Sequence, residues 1–279
     1  MPFDFRAFIE DVMGKRVTPL RAGRGSRQGQ AHGSADLRIL AQERALRAYP
    51  FADISENLEV SISPRAKRMA LRLNHRDRIV HLVVPKRASL RSAYDFAQDH
   101  QNWIQEKISK LPKIVPFQDG KTLPVFGRDR RIIVLYNKAL RKTDIQLKKN
   151  EIIVITNKKD PAGRIRRFLM EQARKKISLL AQEKADRLDK KIAHLSVRDT
   201  VSRWGSCSED GRLSFSWRLI FAPPEAMDYV VAHEVAHLVY MDHSRNFWAV
   251  CEELCDDYAQ GKGWMHTNGH DLMRFGIES

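Results

Sequence analysis

The chain has 279 residues, 49 Lys and Arg against 34 Asp and Glu, a formal net charge of +15, and 43% hydrophobic residues. That length suits one large domain or two small ones, and that apolar content excludes a wholly disordered chain. No run approaches the ~18 apolar residues of a membrane helix, so no membrane partner is expected. Cys207, Cys251 and Cys255 form no CxxC pair, which excludes a disulfide framework and points to the reducing cytoplasm.

The opening MPFDFRAFIEDVMGKR carries Asp4, Glu10 and Asp11 and has no uninterrupted apolar core, so a secretory signal is not expected. Residues 17–36 are rich in Gly, Arg, Gln and Ser and read as a flexible basic arm, leading into a short helix around LRILAQERALRAY. Residues 1–55 thus form a basic, partly disordered extension, and 56–279 the folded domain. The first half of that domain, 56–157, is strand-rich. Leu58 to Pro85 alternates in short stretches broken by Pro64 and by NHRDR, which predicts two or three antiparallel strands. Ser89 caps a helix through SLRSAYDFAQDHQNWIQEKISKL. LPVFGRDRRIIVLYN and DIQLKKNEIIVIT give further strands, with a turn at Lys149-Asn150.

The second half, 158–279, is helical. Asp160-Pro161 opens a long helix running to about Lys191, its stripe being Ile165, Leu169, Ala173, Ile177, Leu180 and Leu188. Arg166, Arg167, Arg174, Lys175, Lys184, Arg187 and Lys190 read as its solvated face. HLSVRDTVSRWGSCSEDGRLSFSWRLIFAPP then gives a strand, a turn at Asp210-Gly211 and a second strand, before Pro223-Pro224 starts the next helix. The order is α+β, an antiparallel-strand first half, a long helix, a hairpin and two helices, with no internal repeat evident.

That last helix carries VVAHEVAHLVYMDHSRNFW. Positions i and i+4 share a helix face, so His233 and His237 can hold one ion between them, and Glu234, about 100° around, falls beside an open coordination position as a general base. A catalytic zinc takes a third protein ligand. His243 is the candidate, but ten helical residues span about 15 Å, so the helix must stop near Tyr240 and turn back. Asp242 suits the turn, and Ser244 can cap a following helix, RNFWAVCEELCDDY. Metzincin proteases share this histidine spacing but have Gly where this chain has Tyr240. Val230, Val231, Val235, Leu238 and Val239 make the helix apolar on most sides, as a buried scaffold requires.

RWGSC, W-R-L at Trp217, Ala222-Pro223, HEVAHL and H-S-x-x-F-W at His243 to Trp248 together resemble the bacterial YgjP-like metallopeptidase family of predicted metal-dependent hydrolases. SPRAKRMALRL, HLVVP and HQNWIQEKI extend the resemblance back to about Glu56. It implies a zincin-like core with an HExxH active-site helix, one Zn2+ on His233, His237 and His243, and Glu234 as base.

The expected enzyme is therefore a zinc-dependent metallohydrolase acting on polypeptides. Tyr240, Arg245 and Arg203 are the candidates for stabilising the oxyanion. Arg203-Trp204-Gly205 leads into an edge strand that an extended peptide can pair with; Trp204 in the core and Gly205 as a bulge is the structural alternative. Cys207 has no histidine nearby in sequence to make it a nucleophile, Cys251 and Cys255 read as buried helix positions, and Asn268-Gly269 separates His266 from His270. The alternatives are a metal-dependent phosphohydrolase acting on nucleotides, a protease recruited to nucleic acid in the manner of SprT-like zinc proteases, and a binding module that keeps a structural metal. The net charge suits either weak nucleic-acid binding through the basic surface or a solvated surface that only keeps the protein soluble.

Overall fold

A computed structural model describes residues 49–277. The basic arm at 17–36 and the helix expected before Tyr49 lie outside them. The described residues hold seven α-helices, two 3-10 helices and ten strands in three sheets, an α+β layout as the order of elements predicts. They form two compact units, 49–111 and 112–277.

The first unit contains α1 (Phe51–Ile54), β1 (Leu58–Ser63), β2 (Ala70–Asn74), β3 (Ile79–Pro85), α2 (Leu90–Asp99) and α3 (Gln101–Ser109). β2 and β3 form the antiparallel hairpin, turned by Asn74, whose Oδ1 accepts from the amides of Arg76 and Asp77 at 3.1 Å each. β1 does not follow the expected pattern. It runs parallel to β3, Leu58 opposite Val80, because alternation reports which face a side chain takes and says nothing of strand direction. Ser89 caps α2 as expected, its Oγ accepting from Ser92 N at 3.0 Å. The single helix expected there breaks at His100, which leaves helical geometry at φ −107, ψ 13. Val80, Leu82, Val84, Ala93, Ala97 and Ile104 make the core, joined by Phe51 and Ile54. The end of the stretch read as an extension is thus packed: the Phe51 ring lies 5.4 Å from that of Tyr94.

The second unit contains β4 (Thr122–Val125), β5 (Arg128–Tyr136), β6 (Asp144–Leu147), β7 (Glu151–Thr156), α4 (Ala162–Arg187), β8 (His194–Arg198), β9 (Gly205–Cys207), β10 (Arg212–Ser216), the 3-10 helix η1 (Trp217–Phe221), α5 (Pro224–Ala236), α6 (Arg245–Glu253), α7 (Tyr258–Asn268) and η2 (Gly269–Arg274). Within it, strands and helices are tied together. Phe126 N donates to Ile220 O at 2.8 Å, and Gly127, at φ +72, lies flat against Pro224 at the start of α5. Residues 217–221, expected as strand, are the 3-10 helix η1.

α4 buries Ile165, Leu169, Ala173, Ile177, Ala181 and Ala185. Each i+4 step advances about 40° around the axis, so the buried stripe winds onto Ala181 and Ala185 and leaves Leu180 and Leu188 half-buried. Lys184 also departs from its expected place on the solvated face. It is buried, with Nζ 2.7 Å from Asp228 Oδ1 on α5 and 2.6 Å from Leu254 O.

One plan recurs in all three sheets. The strand orders are β1-β3-β2, β5-β7-β6 with β4 added outside β5, and β8-β10-β9. Each time the first and third strands are parallel, the second is antiparallel to the third, and helix follows. The repeat is one of topology and leaves no trace as residue similarity.

Candidate metal centre

α5 begins with Pro224 at its first turn, where a missing amide costs nothing, and Glu225 beside the positive helix end. From Tyr229 to Ala236 every residue is buried, with α4, α6 and α7 packed around the helix. His233 and Glu234 occupy the last turn, and His237 is the C-cap. The regular helix stops at Ala236, short of Tyr240; one further turn follows, with Val239 N and Tyr240 N donating to Ala236 O at 3.0 and 3.1 Å. Val239, expected on the buried scaffold, lies past that end and is 37% exposed.

The chain then reverses as the spacing requires. Asp242 Oδ1 accepts from Ser244 N at 3.2 Å, and Ser244 Oγ accepts from Phe247 N at 3.4 Å to cap α6. The reversal returns His243 to the end of α5, with Nε2 3.2 Å from His233 Nε2. Ring centroids of His233, His237 and His243 stand 5.0, 4.9 and 5.1 Å apart, and their ligand atoms lie within 4.8 Å of one another. Two nitrogens bound tetrahedrally to one ion at about 2.05 Å sit about 3.3 Å apart, so the closest pair already has that separation. His237 Nδ1 is 2.9 Å from Tyr240 O. A proton held there on Nδ1 leaves the Nε2 lone pair for a metal. Burial, then the other two histidines and Lys262, drive the pKa of His233 well below the usual imidazole range. Burial also lowers His237, against the pull of the Tyr240 carbonyl. Neutral imidazoles are the form that ligates, and three of them converging in a buried place fit a borderline metal ion.

Glu234 is buried beside this group, and burial pushes its carboxyl up to about 8, against the Arg203 charge and the Cys207 backbone amide. β9, the edge strand of its sheet, lies directly on it. A Cβ added at Gly205 would stand 2.6 Å from Glu234 Oε1, so the glycine is what lets strand and carboxylate approach. Beside His237 a groove of about 360 Å³ opens between the β9–β10 turn at Ser208–Gly211, Lys190 and Lys191 after α4, and Leu238, Val239 and Met241.

The remaining sequence candidates divide. Arg203 is exposed just before β9, and its charge reaches Glu234. Trp204 is 1% exposed and packs into the core, its carbonyl accepting from Ser216 N at 2.8 Å. A side chain so enclosed has no face for a substrate, which corrects the substrate-binding expectation for that residue. Tyr240 contributes its carbonyl, through His237, and Arg245 is exposed in the first turn of α6. Cys207 is pushed up to about 12 by burial, then by Glu234 and Asp210, which keeps it a thiol. Cys251 and Cys255 are buried, the first in α6 and the second in the turn after it.

The wall behind the three histidines is built from residues outside the expected site. The Phe247 ring lies 5.0, 4.5 and 4.8 Å from those of His233, His237 and His243, and Trp248 stacks on His243 at 5.5 Å. Lys262 on α7 closes it, with Nζ 4.2 Å from the Trp248 ring centroid and donating to Tyr258 Oη at 2.8 Å. The adjacent aromatics at the start of a capped helix were the available signal for Phe247 and Trp248; Lys262 had none.

The family described as YgjP-like, metallopeptidase domain, matches residues 67–268. No curated protein and no solved structure matches the chain. Among the described residues no helix is long and apolar enough to cross a membrane.

Proposed function

The chain belongs to the YgjP-like metallopeptidase family, a family of metal-dependent hydrolases, and on that premise we propose that it is a zinc-dependent peptidase with a zincin-like core. His233, His237 and His243 hold one zinc ion, and Glu234 is the general base. A bound zinc supplies Lewis acidity, polarising the scissile carbonyl and making water easier to deprotonate. Glu234 takes the proton of the attacking water on a carboxylate oxygen and delivers it to the leaving amine nitrogen as the C–N bond breaks. Its burial against Gly205 keeps bulk water from competing for that proton. The unpaired edge of β9, at Gly205 to Cys207, receives an extended polypeptide through backbone hydrogen bonds, and the groove beside His237 takes its side chains. Arg203, whose charge already reaches Glu234, is the cation we assign to the developing oxyanion. With three free cysteines, two of them buried, the reducing cytoplasm is the setting we assign.

The observation that carries this reading is the convergence of three imidazoles, two with Nε2 atoms 3.2 Å apart, beside a carboxylate buried at the next helical position. The test compares zinc-loaded wild type with Glu234→Gln on a pool of unfolded proteins, reading new peptide N-termini by mass spectrometry. Cuts made by wild type and missing from the variant, at equal zinc content, are expected. The net charge of +15 carries a second reading, hydrolysis of anionic phosphate esters or nucleotides. Phosphate release that depends on Glu234, without peptide cleavage, would put it first.

A further inference from the structure

We propose that the end of the β5–β7 sheet where its two long loops meet binds single-stranded nucleic acid, with Tyr136 stacking on a base and the surrounding cations meeting phosphates. This inference is independent of the peptidase reading.

β5 and β7 run parallel, Tyr136 opposite Thr156, and β6 starts at the same end, Asp144 opposite Ile155. The loops 137–143 and 157–161 therefore leave the sheet side by side, and hydrogen bonds lock them into one platform. Asn157 Nδ2 donates to Leu140 O at 2.7 Å, Asn137 N donates to Thr156 O at 2.8 Å, and the Thr143 and Thr156 hydroxyls are 2.7 Å apart.

Lys138, Arg141, Lys142, Lys158 and Lys159 stand on this platform, all exposed, and none makes an ion pair among the described residues. Two carboxylates share this end of the sheet, Asp160, which accepts from Ala162 N at 3.0 Å, and Asp144, which accepts from Gln146 Nε2 at 2.9 Å; both donors are neutral, so five cations stand against two anions. Five like charges held on fixed loops repel one another, and a strand of regularly spaced phosphates relieves that repulsion while releasing its own counterions. The second feature is aromatic. Tyr136, the last residue of β5, is 51% exposed at the edge of the cationic loops. A ring in water beside lysines offers a base its face, and only an unpaired base can take it, which selects single strands over duplexes.

The full chain would be titrated against a fluorescein-labelled oligothymidylate of about 20 nucleotides, by anisotropy, from about 50 to 200 mM salt. The triple variant Lys142→Gln, Lys158→Gln, Lys159→Gln is compared with one of equal charge on α4: Arg167→Gln, Lys175→Gln, Lys176→Gln. The platform triple should flatten the plot of log affinity against log salt by about 2, at about 0.7 per lost phosphate contact, and the α4 triple should leave it nearly unchanged. Tyr136→Ser should weaken binding about tenfold without changing the slope. All seven positions are exposed, so thermal unfolding should stay put and a failure to fold would be visible. Equal losses in the two triples would reduce the effect to net charge and overturn the proposal, as would no binding at all. So would a Tyr136→Ser variant that binds like wild type, which would leave a generic polyanion surface, for duplexes or anionic lipid.

Discussion

The sheets β5–β7 and β8–β10 share strand order, strand directions and a following helix, yet they place different chemistry at the same points of the plan. In the first, the loop between the opening strand and the middle strand is cationic and exposed, and the middle strand β6 begins at an exposed Asp144. In the second, the equivalent loop ends in a buried Trp204, and the middle strand begins at a buried Gly205 pressed on Glu234. The helices differ in the same sense. α4 winds a narrow stripe of aliphatic side chains along one side, whereas α5 is buried all round from Tyr229 on and brings His233, Glu234 and the C-cap His237 to its end. A shared backbone plan therefore fixes where an edge strand and a helix end meet, and the residues at that meeting decide whether it is a surface or a site.

The largest effect is expected from removing one imidazole of the histidine cluster. His243→Ala should abolish hydrolysis and lose bound zinc. Chelation should lower the Tm of the wild type, since an ion that binds only the native state stabilises it by about 4 kcal/mol at a thousandfold excess over its Kd. A Tm unmoved by chelator, with three histidines intact, would contradict a metal centre in this place.

Next comes the equivalent pair of strand starts. Gly205→Ala forces a methyl onto Glu234 and should cost about 1–3 kcal/mol by overpacking, together with at least tenfold in kcat. Asp144→Ala, at the same point of the other sheet, should stay within about 0.5 kcal/mol and leave turnover alone. Denaturant unfolding of both variants decides it; similar losses would remove the distinction drawn between the two sheets.

The two faces of α4 provide a contrast in stability alone. Lys184→Met strips Asp228 of its 2.7 Å partner and leaves Leu254 O without its donor, for about 2–4 kcal/mol. Lys176→Met, on the exposed side, should be close to neutral. The smallest effect belongs to the first unit, where Ser89→Ala removes the α2 cap for about 1 kcal/mol. A loss above about 3 kcal/mol there would mean that Ser89 holds more than a helix end.

The convergence of the three histidines was legible because its logic is local. A four-residue spacing fixes two imidazoles on one helix face, a shared cluster with His243 demands a reversal, and Asp242 and Ser244 supply the turn and the cap that make one. Capping by Ser89 and the turn at Lys149-Asn150 were readable for the same reason. What failed to show in the sequence depends on contacts between distant segments. The direction of β1 relative to β3 is set by pairing, which alternation does not encode. Trp204 and Gly205 are adjacent, yet one enters the core and the other carries a strand across a carboxylate. Lys184 looks like any lysine of a charged helix until Asp228 arrives from α5.

The parallel pairs β1–β3, β5–β7 and β8–β10 have a consequence for how the chain assembles. Parallel neighbours usually wait for a long helical crossover, but here the connection is the sheet's own middle strand, so Leu58 meets Val80 and His194 meets Arg212 across short stretches of chain. Loop closure is correspondingly cheap in entropy, and each sheet can nucleate by itself as it emerges during synthesis. The histidines come after all three sheets in chain order, so they converge onto an edge strand that is already in place.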